Sequence, residues 1–147
     1  MSLILEEQES EWYPAQPRGG VYDLVSAATS GADTAARLRV IAALGKSDDP
    51  RAVRPLMDLL GDADPEIRLS ATTALGQLKS GRPVEDLIGR LRDRDERMIT
   101  REQAADALFM IRSTGALLGL REFTADEDAD PALRSYTENL LKGISPL

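Results

Sequence analysis

Residues able to do chemistry fall in two patterns. The first is "ADEDADP", Ala125 to Pro131, in which Asp126, Glu127, Asp128 and Asp130 crowd together. Alternating carboxylates of this kind chelate calcium when an EF-hand loop continues with Gly at its sixth position and Glu at its twelfth. Here those positions hold Pro131 and Thr137. The stretch therefore reads as a solvated acidic turn that ends in a helix N-cap. The second pattern is a row of arginines, Arg37, Arg68, Arg101 and Arg134, spaced by 31, 33 and 33 residues. Asp33, Asp64 and Asp130 stand four residues before three of them. A row of guanidinia at fixed spacing could bind anions. The simpler reading is a structural ladder, in which each Asp pairs with the Arg one helical turn later and neighbouring rungs share the charge.

The 147 residues include no histidine and no cysteine. The commonest general base, the thiol nucleophile and both common transition-metal ligands are missing from the chain. No catalytic constellation is visible, so the expectation is a protein that is not an enzyme and uses no cofactor and no metal. The net charge of −7 argues against nucleic acid and anionic membrane as partners, because both select basic surfaces. No apolar run approaches the length of a membrane span, and the opening "MSLILEEQES" is too acidic for a signal peptide. A cytoplasmic protein is expected.

The elements that must position these residues are helices. "DPRAVRPLMDLLG" begins with an Asp cap and Pro at the first helical position, places Val53, Leu56, Leu59 and Leu60 on one face, and stops at Gly61. "DPEIRLSATTALGQL" repeats that grammar with Asp64, Pro65 and an apolar face of Ile67, Ala71, Ala74, Leu75 and Leu78. The pair recurs. Ala74-Leu75-Gly76 matches Ala43-Leu44-Gly45 and Ala107-Leu108, and Asp64-Pro65 matches Asp130-Pro131. Four helix pairs follow, at about 20–47, 49–80, 81–114 and 115–144, and a period in the low thirties with two helices per unit predicts an α-solenoid. Unit three departs from the pattern. "RDRDERMITREQAADALFMI" lacks Asp-Pro and carries two extra residues, which predicts a longer turn or an earlier helix start. Its charge run, Arg90 to Arg97, reads as a solvated, self-neutralising turn, and as the widest irregularity it is also a candidate recognition edge.

The Asp-Pro starts, "PLMDLL" and "IR…A..ALG" resemble HEAT-like repeats of the short type found in phycobilisome lyases. The resemblance implies an all-α, right-handed solenoid whose second helices line a concave surface. Hydroxylases of this fold use His-Glu metal motifs, which a chain without histidine lacks. DNA glycosylases of this fold use a basic concave face, which is not found here. The lyases themselves imply the alternative function, a chaperone-like carrier of a linear tetrapyrrole.

Opposite the core positions of the second helices lie Leu38, Ile41, Ala42 and Gly45, then Leu69, Thr72, Thr73 and Gly76, then Glu102, Ala105, Asp106 and Phe109, then Ser135, Glu138, Asn139 and Lys142. An apolar strip grading into Glu102, Asp106 and Glu138 suits a basic amphipathic peptide; the plainer readings are that the repeats curve tightly so that these side chains touch their neighbours, or that the N-terminal arm covers them. The leading expectation is a non-catalytic scaffold that binds a protein or peptide there. Residues 1–19 read as an extended or partly disordered arm; its Trp12 and Tyr13 stand out among six aromatics and are expected to cap the first unit, with the groove or a partner as the other places for them. Solenoid ends expose apolar faces unless capped, and "KGISPL" is a thin cap, so homodimers through the ends are a further expectation.

Overall fold

The computed structural model describes residues 20–29 and 33–144. The expected arm at 1–19, with Trp12 and Tyr13, lies outside the described residues. Helices α1 (Val21–Thr29) and α2 (Thr34–Gly45) form the first pair. A 3-10 turn at Pro50–Ala52 leads into α3 (Val53–Leu59), which pairs with α4 (Pro65–Leu78). The third and fourth pairs are α5 (Val84–Arg92) with α6 (Met98–Ile111), and α7 (Thr114–Ala125) with α8 (Pro131–Lys142). There is no strand among the described residues.

Three of the four second helices start where a short polar side chain takes a free N–H, while α6 starts after Arg97 without a side-chain cap. Asp33, Asp64 and Asp130 accept from the backbone N–H groups of Ala36 at 2.7 Å, Glu66 at 2.9 Å and Leu133 at 3.0 Å. Such caps contribute about 1 kcal/mol each. This use of the carboxylates corrects the expected ladder: none of the three Asp residues pairs with the Arg one turn later. Ser113 caps α7 through Ala116, at 3.1 Å, so that helix begins at Thr114 rather than 115.

The turn of unit three is not longer than its neighbours. Residues 60–64, 93–97 and 126–130 each join a first helix to a second. The two extra residues go into the helix instead. From the equivalent core positions Leu56, Leu87 and Leu120, α3 runs three residues further, whereas α5 and α7 each run five. Unit four shares the feature, so unit two is the short one.

One apolar core runs through the described chain, with Ile41, Leu44, Leu56, Ile67, Leu75, Leu87, Leu108, Leu120 and Leu133 fully buried. Each such side chain contributes roughly 1.5–3 kcal/mol over its exposed state. The second helices α2, α4 and α6 pack closely side by side, while the first helices touch one another much less. The closer-packed row lies on the inside of the bend, which makes the second helices the inner layer. Glycine sets that closeness. A Cβ on Gly45 would lie 2.9 Å from the Cα of Ala74, and one on Gly76 would lie 2.9 Å from the Cα of Ala107. The two glycines therefore face the next unit and not solvent, contrary to their expected place in the outward stripe.

Candidate functional site

The inner face that solvent reaches is rotated one residue from the expected stripe. Ile41 and Thr72 are fully buried, as is the equivalent Ala105. Neighbouring second helices close over this position, so neither residue can meet a ligand. Leu38 and Phe109 are half-buried against the core, and the Phe109 ring lies under the Arg112 guanidinium at 4.6 Å. Leu69 is also half-buried, whereas Glu102 and Asp106 are partly accessible and Glu138 is exposed. The accessible row on α6 is Ile99, Gln103, Asp106 and Met110, at the i, i+4, i+7, i+11 spacing of one helix face. Ile99 is 50% exposed and Met110 40%.

A chain of hydrogen bonds crosses three helices on this face. The Thr73 hydroxyl of α4 donates to Gln103 Oε1 at 3.1 Å. Gln103 Nε2 donates to Asp106 Oδ2 at 3.3 Å. From α8, the Tyr136 hydroxyl donates to both Asp106 oxygens, at 2.7 and 2.8 Å. Burial pushes the Asp106 carboxyl up from its ordinary value, and the Tyr136 hydrogen bond only partly offsets it. Burial, then Asp106 itself, pushes the Tyr136 phenol well above its ordinary value, so it remains a donor at neutral pH. At the edge of the face Arg97 pairs with Glu66 at 2.9 Å.

The four ladder arginines share one task. Each donates to carbonyls at or just beyond the end of its own unit's first helix, where backbone acceptors lack partners. Arg37 Nε reaches Ala28 O at 2.8 Å, and Arg101 Nε reaches Leu91 O at 2.9 Å. Arg134 Nε reaches Thr124 O at 3.3 Å, and Arg68 Nη1 reaches the carbonyls of Asp62 and Ala63. The first two also reach into the following unit. Arg37 pairs with Asp62 at 2.8 Å and holds that carboxyl below its usual range. Arg68 grips Glu96 with two bonds, at 2.8 and 3.1 Å.

Glu96 was not singled out by the sequence. Its side chain is fully buried and also accepts from Arg90 at 3.1 Å and from the Arg97 N–H at 2.9 Å. Burial alone would raise its pKa, but the bonds from Arg68, Arg97 and Arg90 hold it at about 2. The charge run "RLRDRDER" is thus not simply a solvated turn: it encloses a buried carboxylate between two arginines. The legible signal was Glu96 itself, a long acid where unit four has Ala129.

Two carboxylates of the acidic stretch at 126–130 have partners. Asp126 accepts from the Asp128 N–H at 2.9 Å and from Arg92 at 3.3 Å, and Asp130 caps α8. Among the described residues no three His, Cys, Asp or Glu side chains stand together as a metal site. No helix among them is long and apolar enough to cross a membrane.

The recurrence of one helix pair, with its capping Asp, its carbonyl-binding Arg and its close second-helix contact, agrees with the sequence pattern of HEAT repeats, which matches residues 21–108. The chain belongs to the HEAT-repeat family. It is a helical repeat solenoid. Human deoxyhypusine hydroxylase, solved in complex with glycerol, superposes with a TM-score of 0.71 at 24% identity, over 82% of this HEAT chain and 41% of that one. The likeness is one of fold, and this chain spans less than half the length of the hydroxylase chain. A search of curated proteins finds no match. The HEAT match is to the repeat in general and does not single out the phycobilisome-lyase type.

Proposed function

We propose that this HEAT-repeat chain is a non-catalytic scaffold, acting in the cytoplasm, that holds a basic amphipathic peptide or helix along its inner face. The observation that carries the reading is Asp106, a carboxylate half withdrawn from water at the centre of that face. Burial disfavours its charged form, and a residue kept where it costs stability suggests a binding role. Ile99, two turns before it, and Met110, one turn after it, offer apolar contact, while Glu102 and Glu138 add negative charge nearby. A Lys or Arg of the partner would complete the acceptor capacity of Asp106, with apolar side chains seated on Ile99 and Met110. Catalysis has little to work with, since the chain has neither His nor Cys and the Tyr136 hydroxyl is held as a donor.

The test is fluorescence polarisation with a panel of labelled basic amphipathic helical peptides and their charge-reversed counterparts. Basic members are expected to bind, more weakly as salt rises. Ile99→Asp and Asp106→Asn should each weaken binding roughly tenfold, the scale of one lost anchor, with the helical circular dichroism spectrum unchanged. If no basic peptide binds, or if both variants bind like the wild type, the inner face is not the site. A linear tetrapyrrole is the competing occupant, and a change in the visible spectrum of added bilin would favour it.

A further inference from the structure

The arginine ladder breaks between units three and four. Arg37 finds Asp62 in the next unit and Arg68 finds Glu96, but Arg101 finds no acid among the described residues. Its Nε is used on Leu91 O, and its two terminal nitrogens donate to no acceptor among the described residues. Arg101 is nevertheless only 6% exposed. Arg101 lines a small cleft of about 110 Å³, together with Arg92, Arg94, Phe123, Asp126 and Ala129.

The two turns that carry Glu96 and Ala129 have the same backbone. Glu96 N–H donates to Asp93 O and Ala129 N–H to Asp126 O, each at 3.2 Å. The Asp95 N–H donates to Asp93 Oδ1 and the Asp128 N–H to Asp126 Oδ1, each at 2.9 Å. Glu96 and Ala129 each come one residue before the N-cap of the second helix, Arg97 and Asp130. Unit three thus supplies a carboxylate to the ladder arginine behind it, and unit four supplies a methyl group in the same place. Around that place stand three guanidinia and one carboxylate. Asp126 engages Arg92 at 3.3 Å, and Arg94 commits one nitrogen to the Asp128 carbonyl at 3.0 Å. Arg92 also lies over the Phe123 ring at 5.8 Å, and both residues line the cleft.

We infer that this cleft is an oxyanion-binding site, in which a carboxylate or phosphate group from outside the chain takes the position that Glu96 fills one junction earlier. A planar guanidinium offers two parallel N–H groups to either anion, and the cleft is sized for one such group rather than for a whole cofactor. The ligand is opposite in charge to the partner proposed for the inner face, and the site stands without that reading.

The experiment measures thermal unfolding midpoints in inorganic phosphate, in acetate, and in chloride at matched ionic strength. The wild type is compared with Ala129→Glu, which supplies the carboxylate internally. The wild-type midpoint should rise in one oxyanion relative to chloride. Phosphate alone would point to a tetrahedral group, and acetate to an acidic side chain or chain terminus. Ala129→Glu should already be higher in chloride, by about 3 °C, and should gain less from the oxyanion. Any general salting effect acts on both proteins and cancels. An equal oxyanion response in the two proteins overturns the inference, as does no response in the wild type. Should Ala129→Glu fail to fold, the exposed double variant Arg92→Ala/Arg94→Ala decides. Its oxyanion response should fall at least threefold, and an undiminished one sinks the proposal.

Discussion

Glu96 and Asp106 are both carboxylates drawn out of water, and pH acts on them in opposite directions. The folded-state pKa of Glu96 is held at about 2, below its ordinary value of 4.5, because Arg68, Arg90 and the Arg97 N–H together outweigh the effect of burial. A depressed carboxyl stabilises the fold fully above its unfolded pKa, and that stabilisation is lost as pH falls through the folded pKa. A shift of this size corresponds to roughly 3 kcal/mol. Urea unfolding as a function of pH should therefore show wild-type stability declining between about pH 4.5 and 2. Glu96→Gln should be less stable at neutral pH by roughly 2–4 kcal/mol, because it leaves Arg68 and Arg90 without their charge, and its acid limb should be flatter. Parallel limbs for the two proteins would mean that Glu96 is not the hub. Asp106 contributes with the other sign: its raised pKa favours the fold at low pH and costs stability as pH rises through it. Neither behaviour was legible in the sequence. The Asp caps were, since a cap bonds its own helix within three residues, but Glu96 is defined by Arg68, 28 residues away in another unit.

At the scale of the helix, periodicity located the core stripe and misplaced the stripe opposite it. A second helix in this fold touches a first helix on one side and two second helices on its flanks, so its buried sector is wide. Sequence period registers the core contact, because that contact selects Leu and Ile. The flank contacts select small residues such as Gly76, Ala105 and Thr72, which look neutral in a helix pattern. The solvent stripe therefore keeps Thr73 and Asp106 from the expected set and loses Thr72, Gly76 and Ala105 to the flanks. Glycine at a flank makes a prediction that separates the two views. Helix propensity says that Gly→Ala should stabilise by about 1 kcal/mol. At Gly89 in α5 an added methyl group would find nothing within 4 Å, and Gly89→Ala should show that gain. At Gly76 the same methyl would meet the Cα of Ala107 at 2.9 Å, backbone that cannot swing aside. Gly76→Ala should lose about 1–3 kcal/mol despite its better propensity. Denaturant midpoints measure both. A gain at Gly76 equal to that at Gly89 would mean that the second helices are free to separate.

Across the whole molecule, repetition made the solenoid legible, because each unit restates its pattern within about 33 residues and needs no distant contact to be recognised. What stacks on the last described unit was not legible, because it depends on which face each position presents. In α5, Ile88 packs on Gly119 of the next unit, and 33 residues later the same place holds Arg121, which is exposed. On the inner layer the series Ile41, Thr72, Ala105 is buried between units, and its fourth member is Glu138, which is exposed. An apolar surface stacking on this end would strip water from an arginine and a glutamate, each costing several kcal/mol if left unpaired. The chemistry of α7 and α8 thus disfavours the end-to-end homodimer that the short tail suggested, and it puts the barrier on two side chains. Arg121→Leu/Glu138→Leu should restore an apolar stacking face. Sedimentation velocity over a wide concentration range should then show the double variant associating while the wild type does not do so through this end. If the variant sediments like the wild type at every concentration, the polar residues are not what blocks stacking, and the curvature of the inner layer becomes the explanation to test.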